Sequence, residues 1–156
     1  MIRFSSITGF LLCLLLFSFN LIAQSESERK THFNLEKEYA IQGYDPVAYF
    51  TENKAVKGSK KFQTSYKGIP YLFSTEKNKD AFQANPEKYE PEYGGWCAYA
   101  MGLDGSKVKI DPETFKIKDG KLYLFYNFFF NNTLKDWNDD ESNLQKKADE
   151  FWEKSF

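Results

Sequence analysis

Set aside one apolar leader and this chain keeps a single cysteine, so it has no intrachain disulfide to fold around. Of its two cysteines, Cys13 sits inside the N-terminal apolar run and Cys97 lies in the body of the chain. A small chain without staples must hold its fold by core packing alone. The material for such a core is present, because Phe, Tyr and Trp make up 19% of the residues. Each buried ring takes a large apolar area out of water.

The leader has the three parts of a secretory signal. Arg3 supplies the positive end, Ile7–Phe19 the apolar stretch, and Ala23 a small residue for cleavage, which predicts a signal peptide over residues 1–23 that is removed. The stretch is short for a bilayer span and holds Gly9, Ser18 and Asn20, so no membrane anchor is expected after cleavage. The expected destination is the periplasm or the medium. Loss of Arg3 takes the formal net charge from −1 to about −2. Lys and Glu alternate along the remainder with no basic stripe, which disfavours nucleic-acid binding.

Residues 24–38 form a polar N-terminal segment, read as a mobile lead-in, and it carries the chain's one histidine, His32. Residues 39–156 read as a single domain without an internal repeat. Ala40–Tyr44 reads as a short strand. Asp45-Pro46 is a helix start, since Asp caps well and Pro at the first position has no amide hydrogen to leave unpaired. Phe62–Tyr66 and Tyr71–Phe73 are strand-like and are joined through Lys67-Gly68. Ser74 or Thr75 caps a helix that runs to about Ala84 and ends at Pro86. Phe115–Ile117 and Leu122–Phe125 flank Asp119-Gly120, a hairpin signal. Phe128–Trp137 reads as a helix, mostly buried. Asp140–Glu153 reads as an amphipathic helix with Leu144, Ala148, Phe151 and Trp152 on one face. The class implied is α+β: a small antiparallel sheet with hairpins, packed against several short helices.

Five blocks in order carry a resemblance: Ile41–Phe50, Phe73 with Phe82, Asn85–Tyr89, Tyr93–Ala98 and Asp119–Leu124. With them the chain resembles the YHS-domain proteins, specifically their small exported bacterial stand-alone members. The resemblance implies a treble-clef-related core with a C-terminal helical extension. Because such domains recur beside copper-transporting ATPases and other metal-handling proteins, it also implies a non-enzymatic module that binds copper or another soft heavy metal.

On that expectation Cys97 is the metal ligand. Met101, one helical turn further on, would add a thioether, and His32 would join if the N-terminal segment folds back. One chain is poor in soft ligands, so a closed site calls for a homodimer sharing the metal. The rival reading is an interaction or small-ligand-binding domain in which Cys97 is a core residue. Its pocket would be lined by Tyr44, Tyr49, Trp96, Tyr99 and Tyr123, with Gly94 and Gly95 letting backbone approach a ligand. A thiol-dependent sensor or enzyme is a third reading. It lacks a base and an orienting group in the sequence, so no catalytic residue is assigned. Asp45 is read as a cap, and Asp111, before Pro112, as the start of a turn.

Overall fold

Two glycine-bearing turns set the frame. Lys67-Gly68 joins β1 (Ser59–Tyr66) to β2 (Ile69–Phe73), and Asp119-Gly120 joins β3 (Asp111–Lys118) to β4 (Lys121–Phe125). Both turns have positive φ at both central residues, 45° and 80° in the first and 52° and 74° in the second. This is the mirror-image turn whose twist matches paired strands, and glycine occupies its second position without steric penalty. The computed structural model describes residues 26–155; the leader expected over residues 1–23 lies outside them.

A third hairpin pairs β5 (Asn127–Phe128) with β6 (Asn131–Asn132). Around the hairpins lie α1 at residues 26–32, α2 (Pro46–Thr51), α3 (Glu76–Ala84), α4 (Pro86–Tyr89), α5 (Ala98–Asp104), α6 (Thr133–Asp139) and α7 (Glu141–Glu153). The fold is therefore α+β: among the described residues, three two-stranded antiparallel sheets with seven helices. The caps follow the chemistry of the sequence. Asp45, Thr75 and Asn132 each accept a backbone N–H from the first turn of α2, α3 and α6, and Pro46 and Pro86 open their helices.

Three local expectations are revised. Ala40–Gly43 is a tight 3-10 turn rather than a strand, because Ile41 and Gln42 take positive φ; Tyr44 keeps only an isolated bridge to Lys57. Phe128–Trp137 is not one helix. Phe129 and Phe130 turn the β5–β6 hairpin, and the Asn132 cap holds the start of α6 at Thr133. The N-terminal segment is docked rather than loose over its described part. Arg29 of α1 donates through Nη2 to both oxygens of Glu90 (2.8 and 2.7 Å) and through Nη1 to the Tyr66 carbonyl (3.1 Å). Its guanidinium lies 4.2 Å from the Phe33 ring centroid.

Two stretches share one backbone, which the scattered sequence identities do not disclose. Ile41 and Tyr93 have φ, ψ of 51°, 33° and 53°, 34°. Gln42 and Gly94 have 54°, 29° and 60°, 20°, and Gly43 and Gly95 have φ of 81° and 80°. Asp45 and Cys97 then cap α2 and α5, their amides donating to the carbonyls of Val56 (2.8 Å) and Val108 (2.9 Å). The hairpins follow at the same spacing and with the same bulge: Ser59 faces Phe73 and Gln63 faces Leu72, as Asp111 faces Phe125 and Phe115 faces Leu124. One constant offset, the one that takes Ile41 to Tyr93, relates every pair. Tyr71-Leu72-Phe73 recurs as Tyr123-Leu124-Phe125, and Val56-Lys57 as Val108-Lys109. The chain thus contains an internal repeat. The copies part after the hairpin: the counterpart of the capping Thr75 is Asn127, yet α6 is capped by Asn132, and the extra residues form the β5–β6 hairpin.

Two apolar clusters fill the interior. The larger holds Ile41, Val47, Tyr49, Ile69, Tyr71, Phe73, Phe82, Cys97 and the inner face of β4. The second holds Tyr93, Met101, Tyr123, Phe125 and Trp137, closed by Leu144 and Ala148 of α7. Of the amphipathic face read from the sequence, Leu144, Ala148 and Trp152 pack, while Phe151 stays exposed. α7 crosses α5 at Gly102, where an added Cβ would stand 2.4 Å from the Leu144 carbonyl oxygen.

Candidate functional site

Each copy of the repeat puts a side chain at the same latch position, where the helix begins and the second strand ends. In the first copy it is Asp45, fully buried. Its carboxylate accepts from the amides of Val47 (2.9 Å) and Ser74 (2.8 Å), from Ser74 Oγ (2.6 Å) and from Asn78 Nδ2 (2.7 Å). A buried carboxylate with this many donors is a structural clasp. Its role as a cap is as expected.

In the second copy the latch is Cys97, whose Sγ accepts from the Tyr126 amide at 3.4 Å, the counterpart of the Ser74 contact. Sγ also lies 3.4 Å from Thr133 Oγ1. The Thr133 hydroxyl donates to the Tyr126 carbonyl at 3.0 Å, so its one proton is engaged and the thiol S–H donates in the Cys97–Thr133 contact. Neither partner is a base.

The weaker clasp opens onto a cavity of about 300 Å³ between α5 and the β5–β6 hairpin. Buried Cys97 and Thr133 lie at its floor, Tyr99, Ala100, Val108 and Tyr126 form its walls, and the exposed Leu103, Asp104, Ser106 and Asn131 rim it. Asp104 accepts from the Ser106 amide at 3.0 Å, and its hydrogen bonds from Ser106 hold its carboxyl below the ordinary range. Several residues around the cavity differ from their counterparts in the first copy. Asp45 becomes Cys97, Val47 becomes Tyr99, Thr51 becomes Leu103 and Ser74 becomes Tyr126, while the inserted hairpin brings Asn131. Another cleft, about 230 Å³, lies between Arg29, Glu90 and Trp152, but there the Arg29–Glu90 pair satisfies its own charges.

The expected metal ligands are not brought together. Cys97 has ψ of 116° and stands before the helix, so the one-turn spacing to Met101 does not put both side chains on one face. Cys97 packs in the larger cluster and Met101 in the other. Trp96 and Cys97 are both extended, and their side chains leave on opposite sides. His32 belongs to the Trp96 side: its carbonyl accepts from Trp96 Nε1 (2.7 Å), and its ring Nδ1 lies 3.1 Å from Lys107 Nζ. Among the described residues no group of three or more His, Cys, Asp or Glu side chains is placed to hold a metal ion.

The five aromatic residues expected to share a pocket are dispersed. Tyr49 is buried in the larger cluster, with its hydroxyl on the Pro112 carbonyl (2.9 Å), and burial raises its pKa. Tyr123 is buried in the second cluster, accepting from Gln145 Nε2 at 3.0 Å. Tyr44 faces Lys57, and only Tyr99 reaches the cavity. Gly94 and Gly95 do permit a close approach, and what approaches is the chain itself. Their carbonyls accept from the Asn34 amide and side chain (2.9 and 3.0 Å), and a Cβ on Gly94 would stand 2.7 Å from Trp152. The cavity residues Leu103, Asn131 and Thr133 carried no recognisable motif; comparison of the two copies points to Leu103, and the inserted hairpin brings Asn131 and Thr133.

No curated protein and no solved structure matches this chain. The family model for the YHS domain matches residues 47–93, from the start of α2 to the turn before Cys97, so the cavity residues lie beyond the matched span. On that match the chain contains a YHS domain at residues 47–93.

Proposed function

We propose that this protein is a non-enzymatic binding module whose second copy holds a small, largely apolar molecule in the cavity between α5 and the β5–β6 hairpin. The observation that carries this reading is a cluster of differences between the two copies around the cavity: one copy keeps a charged clasp, and the other exchanges it for a thiol, two tyrosines and a leucine around open space. The cavity's size sits at the lower end for small-molecule sites, and its apolar walls with a few polar rim groups are of the usual kind. Asp104 accepts at the rim and the Asn131 carboxamide can both accept and donate there, which suits a ligand with a hydroxyl end. A soft metal such as copper, the reading that follows from the family's associations, has less support. The sulfur is engaged with Tyr126 and Thr133, and no group of three or more His, Cys, Asp or Glu among the described residues is placed to complete a site.

The test is thermal unfolding of the full chain with n-hexanol, beside an Ala100→Phe variant that fills the cavity and an Ala100→Ser variant that leaves it open. Binding to the native state alone stabilises by about 2.7 kcal/mol at roughly a hundredfold excess over Kd. The rise is expected in wild type and Ala100→Ser and is lost in Ala100→Phe. Equal behaviour of all three refutes the assignment.

A further inference from the structure

Of the three hairpins in the described residues, two turn on a glycine and the third turns on Phe129-Phe130. Both phenylalanines have positive φ, 49° and 67°. Bulky L-residues are strained there, and a two-residue hairpin of this kind ordinarily selects Asn-Gly or Asp-Gly. Their side chains gain nothing from the rest of the chain in exchange, being 95% and 109% exposed. Phe128 beside them is 37% exposed and Leu103, across the cavity, 57%. Strain and exposed apolar area held together at one tip point to a function outside the fold.

The shape and charge of the tip select its occupant. A flat patch or groove suits a protein surface, whereas here two rings project from a narrow hairpin, as suits a deformable apolar medium. From Lys121 to Lys135 there is no acidic side chain, and Lys109 Nζ lies 5.4 Å from the Phe128 ring centroid. Aromatic tips flanked by lysine settle at the boundary between headgroups and acyl chains. Asp104 is also on the cavity rim, so apolar insertion rather than charge is the main attraction. Among the described residues no helix is long and apolar enough to cross a membrane.

We propose that the β5–β6 tip is a bilayer-docking wedge: Phe129 and Phe130 enter the interfacial layer of a lipid membrane and bring the cavity mouth to its surface. The wedge does not depend on the cavity holding a ligand.

The experiment uses full-length Phe130→Trp with vesicles of phosphatidylcholine and phosphatidylglycerol, the emission of wild type being subtracted so that the signal is local to the tip. The expected result is a blue shift and quenching by lipid brominated near the headgroup. A second variant, Phe129→Asn with Phe130→Gly, installs the turn sequence the backbone prefers. It is expected to unfold at a higher temperature and to bind vesicles about tenfold or more weaker. Tip emission that ignores lipid while the protein pellets with vesicles overturns the proposal. So does emission that shifts with protein concentration in the absence of lipid, which would assign the tip to a second copy of the chain. A glycine-turn variant that binds as wild type does would overturn it equally.

Discussion

Replacing Asp45 by alanine removes the acceptor shared by the Val47 amide, the Ser74 amide and hydroxyl, and the Asn78 side chain, all within 2.9 Å. The Ser74 hydroxyl can rotate toward another partner. The Val47 amide loses a helix cap, which costs about 1 kcal/mol. The Ser74 amide is left as a part-buried unpaired donor, at about 1–3 kcal/mol, while Asn78 Nδ2 keeps only its longer bond to Ser74 Oγ at 3.3 Å. Such terms are not additive, and about 3 kcal/mol in all is the expected loss, a large share of the roughly 5–15 kcal/mol that holds a domain folded. At the equivalent position of the second copy, Cys97→Ala gives up two weak sulfur contacts, with the Tyr126 amide and the Thr133 hydroxyl, and a little packing, about 1–2 kcal/mol. Urea unfolding of the two full-length variants, followed by tryptophan fluorescence, measures the difference. A loss below about 1.5 kcal/mol for Asp45→Ala, or equal losses for the two, would refute the idea that the second copy has relaxed its clasp.

Three other perturbations follow from the packing. Burial would raise the Glu141 carboxyl, but hydrogen bonds from Lys116, Trp137 and Lys118 outweigh it and hold the group below its ordinary value of 4.5. A lowered folded pKa stabilises above the unfolded value, and that stabilisation is lost as pH falls through the folded one. Glu141→Gln should therefore destabilise the fold at neutral pH by on the order of 1 kcal/mol or less for a screened pair, seen as a lower melting temperature, and match wild type in acid well below 4.5. Gly102→Ala drives a methyl against the Leu144 carbonyl and should cost about 2–3 kcal/mol in urea unfolding, by forcing α5 and α7 apart. Arg29→Met should speed amide exchange in residues 26–34 while leaving the β1–β2 hairpin protected, since the Glu90 clamp is what ties α1 down.

Much of the fold was legible because it rests on local chemistry. Asp45 followed by Pro46, Thr75, and the Lys67-Gly68 and Asp119-Gly120 turns each impose a backbone whatever surrounds them. Ile41-Gln42-Gly43 misled because a β-branched residue at positive φ is rare, and only comparison with Tyr93-Gly94-Gly95 shows it to be part of a repeated turn. Phe128–Phe130 misled because apolarity was equated with burial, whereas burial is settled by what the rest of the chain brings to that face. The candidate site was read at Cys97 and Tyr99 and missed elsewhere. Leu103, Tyr126 and Thr133 are ordinary residues, and the difference between two copies gives them meaning. The one-turn rule linking Cys97 to Met101 failed because a capping residue does not share the helix's periodicity.

The most direct test of the binding claim is amide chemical-shift mapping of the full-length chain during titration with n-hexanol. Saturable shifts are expected at Cys97, Tyr99, Leu103, Tyr126 and Thr133, around the cavity floor and rim, with the Arg29–Glu90–Trp152 cleft unmoved. Shifts confined to that cleft, or none at saturating alcohol while Cu(I) moves Cys97 and is taken up stoichiometrically, would contradict it.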